Sequence, residues 1–119
     1  MDDAFVTFRF AENFVRTGQF VWNIGEAPLE GVSTFLFTLI LVPLVWVGAD
    51  LVLAAKAIGI LASHATLFVL CRMTAREHSE DVAFIPALLL ASIPASGIHS
   101  VSGMETTLYL MFIALLMWR

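Results

Sequence analysis

The chain opens with a helical alternation of polar and apolar residues and then passes into long apolar runs. At about 100° per residue, Asp2, Arg9, Glu12, Asn13 and Arg16 share one arc, and Val6, Phe8, Phe10, Phe14 and Val15 share the other. The spacing predicts an amphipathic helix over residues 2–16 whose phenylalanine-rich face suits the membrane interface. Asp3 and Thr7 land on the apolar side, where a carboxylate must find water or a polar cavity, because burying it bare is costly. Gly18 is placed to end the helix, since glycine accepts the left-handed C-cap conformation. Residues 20–31 carry turn formers and the acids Glu26 and Glu30; they read as a loop with Trp22 as an interfacial anchor.

From residue 32 the sequence is apolar in four stretches, about 32–47, 51–70, 82–98 and 104–118. The second is long enough to cross about 30 Å of hydrocarbon, although it holds Lys56 and His64. Pro86 and Pro94 interrupt the third, and Trp118 and Arg119 follow the fourth as interface anchors. Backbone groups in lipid are satisfied only in helices or closed barrels, and the alternation of barrel strands is missing. The expected fold is therefore all-α: a polytopic transmembrane bundle of about four membrane helices over residues 32–119, preceded by an interfacial helix and loop over 1–31. Between the stretches, Gly48-Ala49-Asp50 predicts a tight helical hairpin, residues 71–81 a charged loop, and residues 96–103 a small, nearly uncharged linker.

Composition agrees. Apolar residues make up 60% of the chain and charged residues 13%, against about 45–50% and 25% in ordinary soluble domains. The net charge of -4 comes from scattered acids, and no basic run is present, so no nucleic-acid partner is expected. Cys71 stands alone and cannot form an intrachain disulfide; it reads as a small apolar residue at a helix end. Acids at Asp2 and Asp3 occupy the place where a secretory signal carries lysine or arginine, so a cleaved signal is not expected.

The leading candidates for chemistry are the adjacent acids Asp2 and Asp3, with Arg9 about two turns later. Adjacent helical carboxylates point roughly 100° apart, so one can take a proton from a hydroxyl while the other orients the helix or holds a cation. The plainer alternative is a pair of helix-start acids favoured by the macrodipole. Lys56 either snorkels to the interface or offers a cation to an anionic phosphate inside a bundle. His64 reads equally as a satisfied core histidine or as the lining of a polar cavity, while His78 and His99 read as solvated loop residues. The three histidines lack zinc-site spacing. Glu105, read as lying in the first turn of the fourth stretch, either complements the dipole or contributes to a polar cavity at the membrane surface. No phosphate loop, nucleophile elbow or dinucleotide fingerprint occurs.

Three segments in order carry a resemblance. Residues 2–13 (Asp2-Asp3-Ala4-Phe5-Val6-Thr7-Phe8-Arg9 and onward), residues 21–36 (Val21-Trp22-Asn23-Ile24-Gly25-Glu26, then Leu29-Glu30-Gly31-Val32-Ser33-Thr34) and Ser102-Gly103-Met104-Glu105-Thr106 resemble GT-C-type glycosyltransferases. More narrowly they are similar to actinobacterial terminal arabinofuranosyltransferases and related bacterial protein mannosyltransferase-like proteins, with Met104 where that group carries leucine. The resemblance implies transfer of a sugar from a polyprenyl-phosphate donor to a hydroxyl on a cell-envelope glycan or protein acceptor. It implies that Asp2 or Asp3 is the general base, facing the extracytoplasmic side of a cell membrane; Arg9, Glu30, Lys56, His64 and Glu105 are the candidate substrate-binding residues. No cofactor or metal ligand set is expected, and a divalent cation is left open.

Members of that group begin with a spanning helix before the aspartates and continue through further helices, so the chain reads as a fragment that is inactive alone. Four full spans would put Arg9, Arg16, Arg72, Arg76 and Arg119 on one side, which the positive-inside rule makes cytoplasmic. The resemblance places the aspartates outside, and that placement is the one expected. A transporter segment using Lys56 and His64, and a non-catalytic membrane subunit, are the alternatives.

Overall fold

The structure is a computed structural model that describes residues 2–25 and 34–119, with the side chains of Asp2 and Asp3 excepted. All regular structure among the described residues is helical. The elements are α1 (Asp2–Thr17), α2 (Phe35–Trp46), α3 (Leu51–Glu77), a single 3-10 turn (Glu80–Val82), α4 (Ile85–Ser92), α5 (Pro94–Val101) and α6 (Thr106–Met117). The chain divides into two compact units, residues 1–55 and 56–119.

In the first unit α1 packs along α2. Thr7 and Thr34 share a hydrogen bond of 3.0 Å at one end, and Glu12, Val15 and Arg16 border a cleft with Val45, Gly48 and Ala49 at the other, so the two helices run in the same direction. Ala4, Phe8, Ala11, Phe37, Thr38 and Leu41 are buried. Gly18, at φ 72, closes α1 by donating its N–H to the carbonyl of Phe14 at 2.8 Å, which a residue with a Cβ does only under strain. The buried face of α1 differs in part from the arc expected from apolarity: Asn13, from the polar arc, is buried, whereas Val6, from the apolar arc, is exposed, and Thr7 is buried on the apolar side where the spacing placed it. The reason is that hydrogen-bond partners wait at Thr34 and at residues 21–22, and a satisfied polar group is cheap to bury. α1 is therefore a packed partner of α2 rather than a helix lying alone.

Asp50 caps α3, its Oδ1 accepting from the N–H groups of Val52 at 2.9 Å and Leu53 at 3.0 Å. α3 outruns the apolar stretch 51–70 because the residues expected to form a charged loop, 71–77, are mostly strong helix formers such as Arg72, Met73, Ala75 and Arg76. At 27 residues it reaches about 40 Å. Ala55, Gly59, Ala62, Thr66 and Val69, spaced four and three apart, form its buried stripe.

The third apolar stretch is two helices, not one. Ile93 is extended (φ -77, ψ 116) because Pro94 at the start of α5 disfavours helix in the residue before it. The segment Glu80–Ser92 consequently meets Pro94–Val101 at 72°. The small residues expected as a linker continue that second helix, with Ser100 and Ser102 hydroxyls bonding back to the carbonyls of Gly97 and His99. The bent pair carries the chain back along α3. Ile85 and Pro86 lie in a groove with Leu70 and Thr74, Leu90 and Ile93 border a cavity with Ser63 and Leu67, and the Ser100 carbonyl reaches Gly59. α6 then runs with α3, from Thr107 beside Gly59 to Trp118 and Arg119 beside Met73 and Arg76. Residues 72–85 and Arg119 thus share one end of the second unit.

Among the described residues, α3 is the one helix long and apolar enough to cross a membrane, and the bent pair makes a second if counted as one span. α2 and α6, with 12 residues each, reach about 18 Å. Only 28% of the most apolar part of α3 is buried. Large apolar side chains such as Leu61, Phe68, Leu88, Leu89, Ile113 and Leu116 are exposed on the second unit.

Candidate functional site

Residues 2–13 and 21–25, separated in sequence by the α1 terminus, are held together by α1 itself. The Arg9 guanidinium donates from Nε to the Trp22 carbonyl at 3.0 Å and from Nη2 to Asn23 Oδ1 at 2.8 Å, with its carbon 4.5 Å from the Trp22 ring centroid. One turn on, Asn13 Nδ2 donates to the carbonyls of Val21 at 3.0 Å and Trp22 at 2.9 Å. Two side chains at i and i+4 project from one face, so both reach the same short segment. Phe10 meets Trp22 at 5.8 Å, and Phe14 stacks on Phe20 at 4.4 Å, which in turn meets Phe35 at 5.2 Å. Thr17 completes the turn, donating to the Asn13 carbonyl and accepting from the Gln19 N–H.

Asp2 and Asp3 are the first residues of α1, where the helix macrodipole favours a carboxylate. Arg9, expected to bind substrate, has its guanidinium engaged by Trp22 and Asn23. Glu30 lies outside the described residues. In the second unit Lys56 and His64 are both exposed on α3, about 12 Å apart along its axis. His64 is exposed rather than a core residue: its Nδ1 lies 2.8 Å from the Ile60 carbonyl one turn back, so the nitrogen carries the proton and donates it. Glu105 immediately precedes the first turn of α6 and makes no side-chain cap; its carbonyl accepts from the Tyr109 N–H at 3.1 Å. Lys56, His64 and Glu105 do not line the cavity at the bend between α4 and α5.

That cavity, of about 200 Å³, lies where α4 bends into α5, against α3 and α6. Ser63, Thr66, Ser96, His99 and Thr107 line it beside leucines, and no Asp, Glu, Lys or Arg among the described residues does. His99, expected in a solvated loop, is half-buried in α5, and its Nδ1 is buried with no partner among the described residues. The Thr107 hydroxyl, on a residue 3% exposed, is likewise unpartnered. Nothing in the hydropathy pattern marks these two; the signal was Pro94, which places His99 on a helix by starting one five residues earlier.

The chain matches no protein-family model, and comparison with curated proteins and with solved structures returns no significant similarity.

Proposed function

We propose that this chain belongs to the membrane-embedded part of a GT-C-type glycosyltransferase that moves a sugar from a polyprenyl phosphate to a hydroxyl acceptor. Support comes from the ordered resemblance of residues 2–13, 21–36 and 102–106 to that group. The observation that carries the reading is that parts of two of these segments form a single structural element, with Arg9 and Asn13 of the first fastened to Trp22 of the second. The apolar exterior fits a bilayer, which accepts exposed leucine and phenylalanine where water does not. Four membrane helices are read from α2, α3, the bent pair α4–α5 and α6. Arg72, Arg76 and Arg119 at one end of the second unit mark its cytoplasmic face by the positive-inside rule. The resemblance implies that Asp2 and Asp3 face the extracytoplasmic side.

In the reaction, one carboxylate of the pair takes the proton of the acceptor hydroxyl as its oxygen attacks the anomeric carbon. The carbon–oxygen bond to the phosphate breaks, and the polyprenyl phosphate leaves with the electron pair. The test uses membranes carrying the whole protein and a labelled polyprenyl-phosphate sugar. Asp2→Asn or Asp3→Asn, whichever removes the base, lowers transfer by about 100-fold or more. Full transfer by the double variant overturns the proposal; loss of solute flux on replacing Lys56 and His64, with the aspartate variants unaffected, identifies a transporter instead.

A further inference from the structure

We infer that the cleft between the C-terminal ends of α3 and α6 binds the phosphoethanolamine headgroup of a bilayer lipid, with the phosphate on Arg76 and Arg119 and the ammonium on Glu77. The inference rests on the membrane reading of α3 and uses neither the aspartates nor the transferase resemblance. Met73, Arg76 and Glu77 of α3, with Met117, Trp118 and Arg119 at the end of α6, line a cleft of about 250 Å³. Arg76, Glu77 and Arg119 are exposed, and the side chain of none of them makes an ion pair or hydrogen bond among the described residues. Their charges are therefore free to meet a ligand.

Depth along α3 places the cleft among lipid headgroups. A hydrocarbon core of about 30 Å takes about 20 helical residues, which the apolar run 51–70 supplies. Met73 lies about 5 Å beyond Leu70 along the axis, and Arg76 and Glu77 about 9–10 Å beyond it. Helical side chains tilt toward the N-terminus and long ones reach back, so these charges fall in the headgroup layer. Trp118 suits the same depth, because an indole has an apolar body and a polar tip. The charges then select the headgroup. Two guanidiniums offer donor forks to a phosphodiester, which brings a single negative charge. Glu77 repels that phosphate unless a cation stands beside it. A primary ammonium brings three N–H donors to the carboxylate, whereas a choline headgroup brings none and a glycerol headgroup brings no charge. Of these headgroups, phosphoethanolamine alone serves all three side chains, and Met73 and Met117 supply an adaptable apolar floor for the first methylenes of the lipid.

The experiment uses the full chain, labelled with fluorotryptophan, in phosphatidylcholine nanodiscs holding increasing shares of phosphatidylethanolamine or, separately, of phosphatidylglycerol. Fluorine NMR is expected to show a saturable shift of Trp118 with phosphatidylethanolamine, with Trp22 and Trp46 as internal references. Arg76→Gln combined with Arg119→Gln raises the lipid share at half-saturation several-fold, and Glu77→Gln turns the preference towards phosphatidylglycerol. An equal response to phosphatidylglycerol in the unaltered protein shows a plain basic patch, and parallel shifts of all three tryptophans show a change in the bilayer as a whole. An unmoved Trp118 shows an empty cleft, and the same shift produced by free phosphoethanolamine shows a site for a soluble phosphate rather than a lipid. Each of these four overturns the inference while leaving α3 in the membrane. A chain that stays out of the nanodiscs instead removes the membrane reading, and this inference with it. The comparison of lipids on the unaltered protein stands even where a variant does not fold.

Discussion

The Arg9 guanidinium lies 4.5 Å from the centroid of the Trp22 ring while its Nε donates, at 3.0 Å, to the carbonyl of that same residue. Trp22 is thus gripped at both backbone and side chain, and Asn13 shares its carbonyl from one turn along α1. Both grips use groups with more than one donor: the guanidinium bonds Trp22 and Asn23 while its carbon lies over the indole, and the amide spans two successive carbonyls.

Asn13→Ala removes the buried donor that serves Val21 and Trp22 and leaves the Val21 carbonyl without it. A loss of about 1–3 kcal/mol in unfolding free energy is expected, read by denaturant titration in detergent. Arg9→Lys keeps the charge but loses the fork and the stacking, and at this exposed position costs about 0.5–1 kcal/mol. A neutral Asn13→Ala would show that residues 21–22 are not held by α1.

Two glycines in the second unit make a matched pair. A Cβ on Gly59 would stand 2.5 Å from the Ser100 carbonyl oxygen, a backbone atom that cannot swing aside. Gly59→Ala should therefore destabilise the protein by about 1–3 kcal/mol through overpacking. Gly97, inside α5, has nothing within 4 Å of such an atom, so Gly97→Ala should stabilise by about 0.5–1 kcal/mol through helix propensity. Thermal unfolding of both variants, followed by circular dichroism, reads the opposite signs.

Much of the all-helical fold was legible in the sequence, because glycine, proline and long apolar runs act locally. Gly18 ends α1 and Asp50 opens α3 through their own backbone and side-chain chemistry. What hydropathy could not give was partner-dependent burial. Asn13 is polar by composition and buried by virtue of two carbonyls that arrive from residues 21 and 22. Likewise α3 buries its smallest residues rather than its most apolar ones, since Gly59 admits a backbone and Leu61 does not. Polarity also misplaced boundaries. Charged residues over 71–77 are good helix formers, and the break at Ile93 follows from Pro94, inside an apolar run. Of the candidate site, Asp2 and Asp3 were readable as helix-start acids, but His99 and Thr107 become notable only once α5 and α6 close on α3.

The cap of α3 offers a third test. Asp50→Ala withdraws the acceptor for the Val52 and Leu53 N–H groups and should cost about 1 kcal/mol, with Asp50→Asn recovering most of it. Because the carboxylate also complements the helix macrodipole, the part that Asn does not restore should shrink at high salt. Stability measured for the three forms at low and high ionic strength separates the hydrogen bonds from the charge.

Leu61, 69% exposed near the middle of the apolar part of α3, distinguishes a helix in lipid from a helix in water. On a water-facing surface, exchanging an exposed leucine for arginine changes stability by no more than about 0.5 kcal/mol. At the centre of a bilayer the same exchange trades a favourable transfer for one costing roughly 2.5–3.5 kcal/mol. No carboxylate on α3 before Glu77 is available to pair with the new charge, and the long side chain must reach for an interface several turns away. Leu61→Arg should therefore shift the insertion equilibrium of residues 51–77 by about 100-fold, at 1.4 kcal/mol per tenfold, while Leu61→Ala shifts it little. Glycosylation mapping of the segment in microsomes reads the inserted fraction directly, and equal insertion of the arginine and alanine forms would remove α3 from the membrane.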